Sequence, residues 1–291
     1  MEVNNIEDRS KPFLNSSSSI LDICSFCGTK APRLRHEFFE APDGETHFVG
    51  IDNYHRSIYQ CTSCNHFYMD SNFDLDKLYT EGNYSDKTYG DMLSHRFKTI
   101  TEYPYEQSDN KQRVNRVMSF LQKVFGNNHP RCLDVGGGIG VFGYELSKNT
   151  NWPISIIEPD PSLSRFIKSQ NFASVFNSSF DDFTENGAIF DFISLNKVLE
   201  HVKNPIKMLQ QTKKFLNPNN GIIYIELPDG EEAFSNSPLR EEFFIEHFHA
   251  FSFTSASILL DKSGFKPLVQ KRLKEPSGKY TIFSFGSLCP N

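Results

Sequence analysis

Apolar and polar positions recur with different periods along this chain, and each change of period marks an element. From about residue 109 onward, short apolar runs are separated by stretches in which apolar residues return every three or four positions, the signature of strands joined by crossover helices. The runs are "CLDV" (Cys132–Val135), the "ISII" of "WPISIIEPD", residues 190–195, and the centre of "GIIYIELPDG". Helical patterns precede the first run in "DNKQRVNRVMSFL", follow the glycines after it, begin again near Pro205, and return in "SFTSASILLDKSGF". Two adjacent strand patterns, "KPLVQKRL" and "KYTIFSFGSL", predict an antiparallel hairpin after the last helix. The expectation is an α/β fold with a doubly wound sheet that ends in this hairpin.

The first third of the chain is organised differently. Residues 1–20 contain "NSSSS" and too little apolar surface to offset the entropy of ordering, so a disordered N-terminus is expected. Residues 21–75 hold short strand-like pieces and two Cys-x-x-Cys pairs, with "YHRSIYQCTSCNHFYM" reading as a hairpin that carries the second pair. Residues 76–108, with Tyr79, Tyr84, Tyr89, Tyr103 and Tyr105, read as a linker or lid before a domain over 109–291.

Composition narrows the class. Of 291 residues, 38% are apolar and 23% charged, which suits a globular protein, and 28 phenylalanines make aromatic-lined clefts plausible. The net charge of −6 offers no field to hold a polyanion, so no nucleic-acid partner is expected. The acidic, polar start "MEVNNIEDRS" lacks the pattern of a secretory signal. Runs such as "GIIYIEL" are too short to cross a bilayer. The expectation is a cytoplasmic protein with no membrane partner; the sequence says nothing of oligomeric state.

In a reducing compartment, Cys-x-x-Cys pairs bind metal or do redox work more often than they form structural disulfides. Cys24 with Cys27 and Cys61 with Cys64 can each place two thiolates on a tight turn, and two such turns together make a tetrahedral site suited to zinc. A redox function needs only one pair, normally opening a helix, so zinc is the expected occupant. His36 and His66 are nearby alternatives that four cysteines make unnecessary.

The stretch "RCLDVGGGIGVFGYEL" runs from a strand through glycines into a helix, and glycines there let the backbone approach a ligand closely. Asp134, Gly136, Gly138 and Gly140 spell the Asp-x-Gly-x-Gly-x-Gly turn of S-adenosylmethionine enzymes. Gly138, Gly140 and Gly143 also spell the dinucleotide Gly-x-Gly-x-x-Gly, but that spelling starts too far from the strand. Both cofactors would place ribose hydroxyls on a carboxylate such as Glu158, at the end of the next strand. The terminal hairpin sets this Rossmann-like sheet apart from the usual dinucleotide fold.

In the order "LDVGGGIG", "IIEPD", "LNKVLEHVKNP", "IIYIELPD", the chain resembles the class I S-adenosylmethionine-dependent methyltransferases over roughly residues 110–288. The cysteine pairs ahead of this region and "EHFHAFS" behind it are similar to the zinc-containing deoxysugar C-methyltransferases. Glu246, His247, Phe251 and Ser252 match their Tyr-x-Glu-His-x-x-x-Phe-Ser stretch. Phe244 stands where they have tyrosine, with Tyr84 or Tyr89 as replacement hydroxyls, and the chain stops after the hairpin where they carry a further domain. The resemblance implies that Asp134, Gly136 and Gly138 line the methionine part of S-adenosylmethionine, Glu158 its ribose, Asn196 its sulfonium and Asp181 its adenine. Arg113 would pair with the methionine carboxylate, the competing reading being an exposed helix arginine.

Methyl transfer needs alignment and removal of an acceptor proton. The stretch "FFIEHFHAFSF" places Glu246 and His247 among phenylalanines, and His201 in "VLEHV" stands just beyond a strand end where α/β folds bind ligands. His247, Glu246 and His201 are the expected catalytic residues, against a reading in which they only pack. The expected acceptor is a small, carbohydrate-derived molecule such as a nucleotide-linked sugar. The alternatives are O- or N-methylation of another small metabolite, or a cofactor-binding scaffold without catalysis.

Overall fold

The computed structural model describes residues 23–30, 32–43, 45, 54–73, 92–184 and 187–289. Residues 1–20, most of the tyrosine-rich segment, and Tyr84 and Tyr89 within it lie outside the described residues. In chain order the elements begin with β1 (Arg33–Phe38), β2 (Arg56–Gln60), β3 (Phe67–Ser71), α1 (Leu93–Glu102) and α2 (Asp109–Phe125). The alternating region follows with β4 (Cys132–Val135), α3 (Val141–Asn149), β5 (Ile154–Ile157), α4 (Pro161–Gln170), β6 (Ser174–Phe176), β7 (Phe192–Asn196) and α5 (Pro205–Gln211). Next come β8 (Ile222–Pro228), α6 (Gly230–Asn236), β9 (His249–Ala250), α7 (Phe253–Lys262), β10 (Phe265–Lys274) and β11 (Tyr280–Leu288).

Local chemistry sets the helix ends. Ser108 accepts a hydrogen bond from the Lys111 N–H to start α2, and Gly126 ends it at a φ of 61°. Asp160 caps α4 ahead of Pro161, and Ser252 closes a capping box with Ser255 at the start of α7.

Seven strands form the main sheet in the order β10-β11-β8-β7-β4-β5-β6. Pairings from β6 through β8 are parallel, while β11 runs antiparallel to both β8 and β10. The expected hairpin is present, and its second strand is the one that joins the sheet. Strands β4 and β8 are buried along their whole length, as central strands covered on both faces must be. The order reverses at β4, which pairs with β5 on one side and β7 on the other, and such a switch point opens a crevice at the strands' C-terminal ends.

A second sheet, β1-β2-β3-β9, joins the cysteine-bearing hairpin to residues far along the chain. Phe67 pairs with Ala250 and Tyr68 with His249. On its other side the same stretch meets the end of β8, where the Phe251 N–H donates to the Pro228 carbonyl (2.9 Å) and the Gly230 N–H to the Phe251 carbonyl (2.8 Å). The approach is close enough that a Cβ on Gly230 would stand 2.6 Å from the Phe67 ring. Residues 243–253 therefore form the seam between the two sheets. Their phenylalanines Phe243 and Phe251 are fully buried in it.

Candidate active site

A cleft of about 900 Å³ opens at the C-terminal ends of β4, β5 and β7. Asp134, Gly136, Gly138, Glu158, Asp181, Asn196 and His201 all line it; Glu246 and His247 do not. The glycine turn is shaped by what surrounds it. A Cβ on Gly136 would stand 2.8 Å from Val198, and one on Gly137 would stand 2.3 Å from Ile156, whereas one on Gly138 would meet nothing within 4 Å. The first two glycines let the turn pack down, and the third presents bare backbone to the cleft.

The carboxylates here are buried but not spent. Glu158 accepts from the Gly138 N–H at 2.8 Å with one oxygen and from the Asp160 N–H at 2.9 Å with the other. A carboxylate has about four acceptor sites, so room remains for two hydroxyls. Burial pushes its carboxyl up to about 7 against those two hydrogen bonds. Asp134 accepts from the Ser194 hydroxyl (2.7 Å) and the Asn196 amide (2.9 Å), and burial pushes it up to about 6 against these bonds and Arg113. The amide bond turns Asn196 Oδ1 into a buried acceptor that has no hydrogen-bond partner among the described residues. Asp181 is exposed at the rim. An acceptor without a donor, open backbone and a half-used carboxylate fit a polar ligand bearing hydroxyl and cationic groups.

His201 and His247 meet with ring centroids 4.7 Å apart at 70°. His201 Nδ1 lies 3.1 Å from the Glu246 carbonyl, and His247 Nδ1 lies 3.0 Å from the Glu242 carbonyl. Burial lowers the pKa of both rings, so both are held neutral. His249 is turned elsewhere, its Nδ1 3.0 Å from His66 Nε2 inside the seam.

A family model for the methyltransferase domain matches residues 108–270. The chain belongs to that family. No curated protein matches it in sequence. The methyltransferase shares its fold with the 1,6-didemethyltoxoflavin-N1-methyltransferase of Burkholderia thailandensis, whose structure holds 1,6-didemethyltoxoflavin and S-adenosylhomocysteine. The two chains are 14% identical, with a TM-score of 0.55 over 81% of this chain and 96% of that one. Magnesium protoporphyrin IX methyltransferase from Synechocystis PCC 6803, with S-adenosylmethionine bound, is 11% identical, with a TM-score of 0.54 over 76% and 100% of the two chains. The plantazolicin methyltransferase BpumL, in complex with a pentazolic desmethylPZN analog and S-adenosylhomocysteine, is 15% identical, with a TM-score of 0.54 over 74% and 98%. The fold is that of the class I S-adenosylmethionine-dependent methyltransferases.

Outside the methyltransferase cleft, the four N-terminal cysteines converge. Cys24 Sγ stands 3.6 Å from Cys64 Sγ and Cys27 Sγ 3.4 Å from Cys61 Sγ, so these contacts run between the pairs. Zinc–thiolate bonds of about 2.3 Å place tetrahedral sulfurs about 3.8 Å apart, close to what is seen. The two turns are built alike: Gly28 (φ 78°) and Asn65 (φ 56°) follow the second cysteine of each pair and donate back to the first cysteine's carbonyl. N–H groups of Cys27, Ser63 and Cys64 point at sulfur, as does the Tyr68 hydroxyl at 3.0 Å. Neither pair opens a helix, and His36 and His66 are not part of the cluster.

Several residues of this region escape sequence reasoning. Arg113 is not the exposed helix arginine that was one of its two readings; it is 7% exposed, lines the cleft and donates to Glu226 at 2.7 Å. Burial pushes the Glu226 carboxyl up, but Arg113 and Arg116 outweigh it and hold that group at about 2. The signal was a glutamate inside the apolar "IIYIEL" with arginines three apart on a helix. Lys197, at a φ of 57°, and Glu275, 3% exposed at the tip of the β10–β11 hairpin, also line the cleft. Neither had a sequence signal.

Proposed function

We propose that this cleft binds S-adenosylmethionine and methylates a small acceptor beside His201. The unpartnered Asn196 Oδ1, on a residue that lines the same cleft as the open Gly138 backbone, is the observation that carries the reading. In it Asp134, Gly136 and Gly138 hold the methionine part, Asn196 stands by the sulfonium, Glu158 takes the ribose hydroxyls and Asp181 reaches the adenine. When bound, the cofactor supplies a methyl group already activated on a sulfonium. The chain supplies alignment and control of the acceptor's proton, at the histidine pair that His201 heads, with the Glu246 carbonyl orienting its ring.

The acceptor we assign is carbohydrate-derived and linked to a nucleotide. The Glu246-His247 stretch and its resemblance to the deoxysugar enzymes support the sugar. Charge supports the nucleotide: Lys197, Lys203 and Lys207 line the side of the cleft after β7, while Asp134, Glu158 and Asp160 line the side of β4 and β5. Acidic groups face the cationic cofactor and basic groups an anionic acceptor. We further infer that Cys24, Cys27, Cys61 and Cys64 hold one zinc ion, which the sulfur spacing and converging N–H groups support. Incubation with S-adenosylmethionine and a panel of nucleotide-linked keto and hydroxy sugars tests the assignment by mass spectrometry. A singly methylated sugar product is expected; turnover confined to acceptors without a sugar would overturn the carbohydrate part.

A further inference from the structure

We propose that Glu200, His201 and His247 form a binding site for one divalent metal ion in the wall of the cleft, separate from the four cysteines. One donor atom from each of the three residues lies within 4.8 Å of the other two. Around an ion with ligand bonds of about 2.1 Å, donors sit about 3 to 3.5 Å apart, so small side-chain rotations would close the set.

The orientation of the rings carries the argument further. Each histidine turns Nδ1 to a backbone carbonyl, His201 to Glu246 (3.1 Å) and His247 to Glu242 (3.0 Å). A carbonyl only accepts, so the proton is on Nδ1 and the lone pair of each neutral ring is on Nε2. Metal-ligating histidines are fixed in this way by a carbonyl or carboxylate behind them. The third ligand comes from a residue that is 1% exposed: Glu200 Oε2 has no hydrogen-bond partner among the described residues. A buried carboxylate oxygen of that kind is costly until something pairs with it.

The fold holds the three together. Glu200 and His201 sit on the one-turn helix directly after β7, and the Glu200 carbonyl accepts from the Phe248 N–H at 2.7 Å, which ties the segment carrying His247 to that turn. His201 lines the cleft, so the fourth position of the ion opens toward the acceptor. Three protein ligands with one open position is the arrangement of catalytic metal sites. Two imidazoles and a carboxylate suit a borderline ion such as cobalt, manganese, iron or zinc, whereas four thiolates take zinc.

The ion would activate the acceptor. An acceptor hydroxyl, or a ketone in its enol form, binds as the conjugate base: the O–H bond breaks, the proton leaves to water, and an oxygen–metal bond forms. The freed electron pair then attacks the methyl carbon as its bond to sulfur breaks, giving the methylated acceptor and S-adenosylhomocysteine. In this state the two histidines are ligands. That role rests on the methyl-transfer reading; binding of the ion does not.

Cobalt(II) is the probe. Zinc-loaded full-length protein, without cofactor or acceptor, is titrated calorimetrically with cobalt, followed by elemental analysis and X-ray absorption at the cobalt edge. The expected result is one equivalent of cobalt with zinc retained and two imidazoles in the cobalt shell. His247→Ala and Glu200→Gln should each weaken cobalt binding by at least about 10-fold. Cobalt that binds only by displacing zinc into an all-sulfur shell, or that binds His247→Ala as tightly as wild type, would overturn the site. If a variant does not fold, the wild-type spectrum decides alone, since a shell without imidazole is equally fatal. A protein that takes cobalt but never transfers methyl would sink the functional reading and leave the site standing.

Discussion

In the function proposed here Glu158 and His201 have different roles, and each can be disturbed alone. Below pH 7, Glu158 is increasingly protonated in the empty protein, because burial holds its carboxyl at about 7. The neutral acid is a weaker acceptor of hydroxyls than the anion. Affinity for S-adenosylhomocysteine should therefore rise from pH 6 to pH 8 and level off above, and calorimetry on Glu158→Gln should show a flatter profile. A wild-type affinity that falls over this range would contradict the ribose assignment. On the proposed reading His201→Ala removes the group through which the acceptor's proton is lost, directly or as a ligand of the proposed ion, a function worth about 100- to 10,000-fold in rate. Turnover should fall by that factor with S-adenosylhomocysteine affinity within about 3-fold of wild type. Unchanged turnover per folded molecule would make His201 a packing residue.

Among elements, β9 matters out of proportion to its two residues. It carries His249 and Ala250 into the cysteine-bearing sheet, and the residues just before it are locked from the same side. Glu45 accepts from the Ile245 N–H at 2.9 Å, and Arg56, paired with Glu45 at 2.7 Å, donates to the Phe243 carbonyl. Phe26, between the first two cysteines, packs on His66 at a tilt with centroids 3.9 Å apart and meets Phe251 edge-on. The cysteine cluster thus supports the segment that bears His247. Structural zinc in small modules is worth on the order of 10 kcal/mol. Stripping it with a chelator should produce a separate low-temperature unfolding transition and lose turnover, with the far-ultraviolet signal of the main sheet largely kept, and zinc should restore both. A melting curve unchanged by chelation would dissociate the cluster from the fold.

For the whole molecule, the sequence was most legible where function and local backbone chemistry coincide. The strand–glycine–helix pattern around Asp134 and Gly136, the carboxylate at the end of the next strand, and the paired cysteines are each spelled within a few consecutive residues, and the spacing locates them even though their contacts run further, as from Gly138 to Glu158 and from Cys24 to Cys64. The antiparallel hairpin was legible because β10 and β11 are adjacent and long. Contacts made between distant segments were not. Arg113 and Arg116 signal burial only when they are joined to Glu226, which lies on a strand more than a hundred residues away. The contact of His201 with His247 depends on the seam between the sheets, and a two-residue strand has no periodicity to read. Of the five phenylalanines of "FFIEHFHAFSF", Phe243 and Phe251 are explained by that seam: they fill the joint between two sheets, and the segment between them carries His247 against His201.

We propose this cleft as an S-adenosylmethionine site and not a dinucleotide site. Calorimetric titration of the wild-type protein and Glu158→Ala with S-adenosylhomocysteine and with a nicotinamide dinucleotide tests it most directly. The expected result is one S-adenosylhomocysteine per chain, negligible dinucleotide binding, and a loss in the variant of about 1.5 to 3 kcal/mol, the worth of hydrogen bonds to a charged group. Preference for the dinucleotide, or no binding of S-adenosylhomocysteine at all, would contradict it.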